Sequence, residues 1–503
     1  MGAPLEDMPR ASAGALASFV PAPAPVFILS ERPAALLAQM ALAPRLKPLA
    51  DPRVLADLAL SNPGATARAV RQRLNELSRL PTGVEATALL DGPFALAARE
   101  GPGDPDVLLL KRLSPAAAAS WHAARMLQAV HPSHNEVRAE RYRGLPLRKV
   151  LVDEKRRLTY ALLRDLLVAG TSDTWVKQSL DLALGAAPKG LVTASSQPAV
   201  AAALRDDAGA NLTALVDADA LRAEAGKPGL ASLALAQLAW LRLTVSPSGA
   251  LRLLAARAAS AGPARGSGRG ALERFAPRKV SAALSRRLDL SRALTDLLSA
   301  AAPKGAHAEE AKALRESILA TLSPHLGDEV FWFSDGVELE EGRPVTRHVL
   351  GLRLKDPAHF ASAFAALEPA LLAPPIAVER EGGRAVTCSG EKASLCFALA
   401  DDVLLVSNRA GALRAALGTP AAGRGDEALR VPESAEVLFV DGPALASALG
   451  EAANALLGSP PEEAPGSHRR PEPLLSVLRA LGSLEVVLRP AGATLLAGEV
   501  VAR

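Results

Sequence analysis

The 503-residue chain predicts an α+β fold made twice: a tandem duplication of one module, with a largely antiparallel sheet covered by helices on one face. Three observations predict it. Four sequence blocks recur in the same order, at offsets between 224 and 243 residues. Alternating apolar and polar residues run in short segments joined by tight turns, the habit of antiparallel strands. Segments with helical spacing, such as Phe360, Phe364 and Leu367, stand between them.

The first block is VLLLKRLSPA at 107–116 and VLGLRLKDPA at 349–358, offset 242. Each is a strand that runs into a helix start. Ser114 and Asp356 suit the N-cap, and Pro115 and Pro357 suit the first helical position, where no N–H is needed. The second block, DLLVAGT at 165–171 and DVLLVSN at 402–408, has offset 237. An apolar strand precedes each copy, and a helix follows, over 174–184 and 410–417. The third pairs Asn211–Ala218 with the segment from Glu436, offset 224 or 225, each a strand ending in Asp (Asp217, Asp441). The fourth matches 241–258 with 484–501, offset 243: hairpins whose turns carry Pro247/Gly249 and Pro490/Gly492.

Insertions and deletions in loops account for the drift in offset. The predicted organisation is a first module over 14–258, a basic Gly/Arg-containing linker over 259–280, and a second module over 281–503. Within each, the expected order is helices, a strand pair, a helix, three or four strands, a helix, a strand, a helix and a hairpin. Residues 34–80 read as amphipathic helices broken at Pro44, Pro48, Pro52 and Pro63, and 458–474 as a Pro-rich loop.

Composition narrows the function. Aromatic residues make up only 3% of the chain, too few for a protein that stacks many bases or sugars. The net charge of +4 is local rather than spread. Arg265, Arg269, Arg274, Arg278, Lys279, Arg286, Arg287 and Arg292 crowd into 262–292 against Glu273 and Asp289. That is a solvated connector first and a contact for an anionic surface second, with Arg265, Arg269, Arg274, Arg278 and Lys279 as the contact residues. A nucleic-acid partner would demand basic charge across a folded face, so none is expected. Segment 136–157, with eight basic and four acidic residues, reads as the water-facing side of a hairpin. No run of 18 apolar residues predicts a spanning helix. The N-terminal MGAPLEDMPRASAGALASF lacks the cationic and apolar regions of an export signal. As written, the chain starts as a cytoplasmic one, unless a leader is missing.

The two cysteines, Cys388 and Cys396, flank a turn around Gly390–Lys392 in AVTCSGEKASLCFAL. Their spacing lets both side chains share one hairpin face. Two readings stand: a cross-strand disulfide, which would place the protein outside the cytosol, or a pair of buried thiols.

Each motif that suggests catalysis has a plainer account. His131, His134 and nearby His122 and Glu136 lack the fixed frame that a metal needs, because Pro132 interrupts their spacing. Ser389 and Lys392 match S-x-x-K, but that chemistry needs a helix start, and this is a hairpin turn. Gly266–Gly270 is not fed by a strand and so cannot cradle a phosphate. Asp217 and Asp441 cap the next helix, and Asp165, Asp401 and Asp402 stabilise strand turns. Trp121, Trp175, Trp240 and Trp332 are anchors of the core or module interface. No catalytic, metal-binding or cofactor-binding residue is assigned, and no cofactor is expected.

A strand ending in Asp, a helix after a small-residue–Pro step and a final Gly-turn hairpin, all duplicated, resemble the uncharacterised bacterial domain-of-unknown-function family 3352. The opening VPAPAPVFILSERPAALLAQM at 20–40 resembles that family's Pro-headed strand and Leu-rich helix, and VLLVSN its most recognisable segment. The resemblance implies a duplicated α+β fold of unassigned activity, usually in exported or membrane-anchored proteins, and it brings no functional residues. The expected function is a non-enzymatic cell-envelope scaffold that binds a protein partner or surface. The alternatives are a cytosolic accessory subunit of a larger assembly, and a hydrolase with a site between the modules.

Overall fold

The computed structural model describes residues 13–36, 92–99, 106–119, 136–151, 157–206, 210–218, 236–248, 250–258, 271–277, 280–300, 308–340, 343–371, 375–381, 384–389, 395–418, 435–457, 479, 482–491 and 495–502. The part of the predicted 34–80 helices beyond residue 36, the His122–His134 cluster and the Pro-rich 458–474 loop lie outside them. The chain divides into two compact units. Unit 1 holds residues 1–221 and 240–252, and unit 2 holds residues 222–239 and 253–503.

Unit 1 contains β1 (Val26–Ser30), β2 (Phe94–Arg99), β3 (Asp106–Arg112), β4 (Glu136–Tyr142), β5 (Leu145–Leu151), β6 (Arg157–Leu163), β7 (Leu166–Gly170) and β8 (Leu212–Asp217). The chain crosses between units within β9 (Leu238–Val245) and β10 (Leu251–Arg257). Unit 2 contains β11 (Ala282–Arg287), β12 (Leu326–Glu340), β13 (Arg343–Leu354), β14 (Pro375–Glu381), β15 (Arg384–Ser389), β16 (Leu395–Ala400), β17 (Val403–Ser407), β18 (Glu436–Asp441), β19 (Ser483–Pro490) and β20 (Leu495–Ala502). The helices are α1 (Ala13–Leu16), α2 (Asp173–Ala183), α3 (Pro198–Asp206), α4 (Leu272–Phe275), α5 (Leu290–Ala300), α6 (Ala308–Leu322), α7 (Pro357–Leu371), α8 (Ala410–Gly418) and α9 (Gly442–Leu457).

In unit 1 the sheet runs β4-β5-β6-β7-β3-β2-β1-β8, every neighbour antiparallel. Unit 2 repeats that order as β14-β15-β16-β17-β13-β12-β11-β18, again all antiparallel, and each sheet goes on past its eighth strand, to β9 in unit 1 and through β19 to β20 in unit 2, antiparallel throughout.

The α+β class expected from sequence is corrected by this arrangement. Among the described residues strand outweighs helix, 47% to 33%, and the fold is largely β. The helices also do not form one layer on one face. In unit 2, Val403 and Leu405 of β17 face a core with Leu272 and Phe275 of α4 and Ala412 and Leu413 of α8. Between them Leu404 faces the opposite core, with Leu290 of α5, Leu322 of α6 and Phe360 and Phe364 of α7. A strand buried on both faces loses its alternation and reads as a continuous apolar run, as VLLVS does. In unit 1, LLVAG of β7 is buried at all five positions. There Val168 packs with Trp175, Val176 and Leu180 of α2, and Leu167 packs with Leu113, Ala117 and Leu162 on the other side.

The central strands were the other difference. β1 pairs with both β2 and β8, and β11 with both β12 and β18, so each joins two halves of its sheet. The expected element order omits both, although the family resemblance implies a Pro-headed strand within 20–40, where β1 lies. β11 reads AALSRR, and its Arg286 and Arg287 count toward the basic stretch when charge alone is read. Its approach is likewise not a connector: Leu272, Phe275 and Val280, within the expected 259–280 linker, lie in the unit 2 core.

Candidate functional site

Register between the two copies locates the position where they differ most in chemistry. Thr159 of β6 lies opposite Gly170 of β7, and Cys396 of β16 opposite Ser407 of β17. One strand further out, Lys149 of β5 lies opposite Thr159, and Cys388 of β15 opposite Cys396. The Lys149–Thr159 pair in unit 1 therefore occupies the place of Cys388–Cys396 in unit 2.

In unit 2 that place holds a disulfide joining Cys388 to Cys396. Both residues are buried with Val386, Ala398, Leu405 and the small face of α8. In unit 1 it holds a polar knot. The Lys149 ammonium donates to the Asp173 carboxylate and lies 3.3 Å from Glu140 Oε2. Thr159, itself buried, donates its hydroxyl to the other Asp173 oxygen at 2.5 Å. Lys177 Nζ lies 2.8 Å from Glu140 Oε1 and above the ring of Tyr142. Beside it Tyr142 donates its hydroxyl to Asp181 Oδ2 at 2.8 Å, and Arg143 Nε donates to Asp181 Oδ1 at 2.5 Å.

Local sequence builds the knot. Asp173 opens α2, where a carboxylate suits the helix dipole. Lys177 follows one turn later on the same face. Arg143 and Gly144 turn the β4–β5 hairpin with φ values of 48° and 79°, the two left-handed residues of a tight hairpin loop. Burial works against ionisation of Asp173, but the hydrogen bonds from Lys149 and Thr159 outweigh it and hold its carboxyl below the usual range. Lys177 does the same for Glu140. Asp173, ahead of burial, raises the Lys149 ammonium.

Unit 2 has a second charged network, buried apart from Arg353. Glu436 accepts from Arg257 Nη2 at 2.6 Å and Arg286 Nε at 2.9 Å. Glu329, 0% exposed, accepts the Ala271 backbone N–H at 2.7 Å and lies 3.4 Å from Arg287 and 3.2 Å from Arg353. Burial lowers the Arg257 guanidinium below its usual value, opposed by the Glu436 charge. Arg286 and Arg287 are thus structural cations, not solvated ones. Sequence reading missed them because their partners are distant in the chain.

Of the proposed anionic-surface contact, Arg274 is described and already engaged. It donates to Asp402 Oδ1 at 2.5 Å and Asp401 Oδ2 at 2.9 Å and covers the Phe275 ring. Arg265, Arg269, Arg278 and Lys279 lie outside the described residues. Ser389 ends β15 opposite Leu395, in strand rather than at a helix start, and Lys392 lies outside the described residues. Asp441 accepts the Ala444 N–H at 3.0 Å, a helix cap. Trp175 is fully buried and donates to the Pro21 carbonyl at 3.1 Å.

No protein-family model, curated protein or solved structure matches this chain.

Proposed function

We propose that this chain is a non-catalytic scaffold of the bacterial cell envelope, working outside the cytoplasm, whose duplicated β-sheet binds a protein partner or surface. The observation that carries the reading is the buried Cys388–Cys396 disulfide, since reducing compartments keep such pairs as thiols. The sequence resemblance to the exported or anchored family 3352 agrees with that placement. Among the described residues β4 pairs only with β5, and β14 only with β15. Each unit therefore offers a strand edge of the kind that takes an added strand from a partner.

The test is to fractionate cells that express the chain natively, block thiols under denaturing conditions, and weigh the peptide spanning 384–400. An intact disulfide in the envelope fraction is expected. Two alkylated thiols in the soluble fraction would sink the reading and favour the cytosolic assembly subunit.

A further inference from the structure

We infer that the Cys388–Cys396 bond makes the edge hairpin β14–β15 of unit 2 conditional on thiol oxidation, whereas the matching hairpin β4–β5 of unit 1 is held independently of redox state. The inference rests on the register equivalence of the two positions and holds whether or not the envelope reading does.

Each edge hairpin is attached to its sheet through a short ladder. β15 meets β16 over Val386–Ser389, and β5 meets β6 over Arg148–Leu151, four pairs in each case. In unit 1 the ladder is reinforced by Lys149, which ties β5 to Glu140 on β4 and to Asp173 on α2, while Thr159 ties β6 to the same Asp173. Among the described residues, unit 2 has no such charged tie at the equivalent place. Its helix opens with Ala410 where unit 1 has Asp173, and its strands carry Cys388 and Cys396 where unit 1 has Lys149 and Thr159. The surroundings of the two sulfurs are apolar, formed by Val386, Ala398, Leu405 and Ala412. Once the S–S bond is broken, two thiols in that setting offer only weak hydrogen bonding, and β14–β15 keeps the four-pair ladder and the apolar packing of Val386 and Cys388 against α8, with no covalent tie. A pair of small-molecule thiols would effect this by exchange: two protein thiols form and the reagent leaves as its own disulfide.

Hydrogen exchange of the full chain tests this, with and without a water-soluble phosphine. The phosphine converts the disulfide to two thiols and becomes its oxide, water supplying the oxygen and both protons. Amides of 375–381 and 384–389 should exchange about tenfold faster or more after reduction, with 145–151 unchanged. The variant Cys388→Ala/Cys396→Ala should show the same increase without reductant, which covers the case in which the phosphine does not reach a buried bond. In the Ala/Ala background, Lys149→Cys/Thr159→Cys should oxidise to a disulfide and transfer the reductant sensitivity to 145–151. Unchanged exchange of 375–389 in the Ala/Ala variant would overturn the inference. So would loss of protection across all of unit 2, β18 and β19 included, since the bond would then hold the core rather than the hairpin. Failure of the new cysteine pair to oxidise would overturn the equivalence of the two positions.

Discussion

Arg353 and Asp402 form in unit 2 the ion pair that Arg112 and Asp165 form in unit 1, at 3.3 Å and 2.9 Å. The likeness extends to the backbone: Leu354 N–H donates to the Asp402 carbonyl and Leu113 N–H to the Asp165 carbonyl, each at 2.8 Å. The two aspartates differ in one respect, because Asp402 also accepts from Arg274. Burial opposes its ionisation, but Arg274 prevails and its carboxyl lies below the ordinary range. Asp165→Asn should cost no more than about 1 kcal/mol, the range of partly exposed pairs. Asp402→Asn should cost more, since it weakens two arginine contacts and loosens α4. Urea midpoints of the two variants, compared at neutral pH, check the order.

Gly351 and Phe331 stand opposite each other in β13 and β12, and the same place in unit 1 holds Leu110 opposite Ala95. Volume has moved across the strand pair. A Cβ on Gly351 would fall 2.0 Å from the Phe331 ring, and that ring is packed beside Phe275 and Phe333. Gly351→Leu should therefore destabilise unit 2 by about 1–3 kcal/mol or more through overpacking. Adding Phe331→Ala should recover much of the loss, because the pair then reproduces the unit 1 arrangement. A double-mutant cycle with no coupling would refute the exchange.

Glu436 neutralises two guanidinium groups, and removing it leaves both buried. Glu436→Ala should cost about 3–5 kcal/mol, read as a lowered denaturation midpoint with accelerated exchange in β11 and β18. A loss under about 1 kcal/mol would mean that water or another carboxylate takes its place.

The knot around Lys149 sets a pH dependence for unit 1. Asp173 and Glu140 both titrate below their ordinary values in the folded chain. Their contribution is therefore complete above the unfolded carboxylate range, near about 4, and is lost as pH falls through the lower folded values. Lys149, raised above its ordinary value, contributes below about pH 10.4 and loses that contribution as pH rises through the folded value. The charges facing this knot are Glu140, Lys177, Arg143 and Asp181. Exchange of β5 amides, corrected for intrinsic rate, should rise below pH 4, and Asp173→Asn should flatten that rise.

Part of the strand framework was legible because the repeated blocks hold β3 and β13, β7 and β17, β8 and β18, and the hairpins over 241–258 and 484–501. The match at offset 242 aligns the helix starts, where Ser114 and Asp356 cap in the same way: each side chain accepts the N–H three residues on. It misplaces the preceding strand by one residue, since sheet register puts Leu108, not Val107, at the place of Val349. A slip of one reverses every side chain, and pairing alone shows it. β11 was illegible for a different reason. Two arginines in six residues signal solvent unless the glutamates that receive them, Glu329 and Glu436, are known to be there. The correspondence of Lys149 with Cys388 leaves no trace in the residues at all, because a salt bridge and a disulfide share only a position.

The placement of β1 between β2 and β8 has a consequence for synthesis. Val26 lies opposite Val216, so during synthesis β1 waits for most of its unit before its second neighbour exists. In unit 2, Ala282 waits likewise for Val440. Pairings that close such long loops slow folding and leave unpaired, apolar β-edges in the meantime. Each unit should thus depend on a holding chaperone during translation, and ribosome-stalled chains that end before β8 should be bound by one and released when stalling is moved past it.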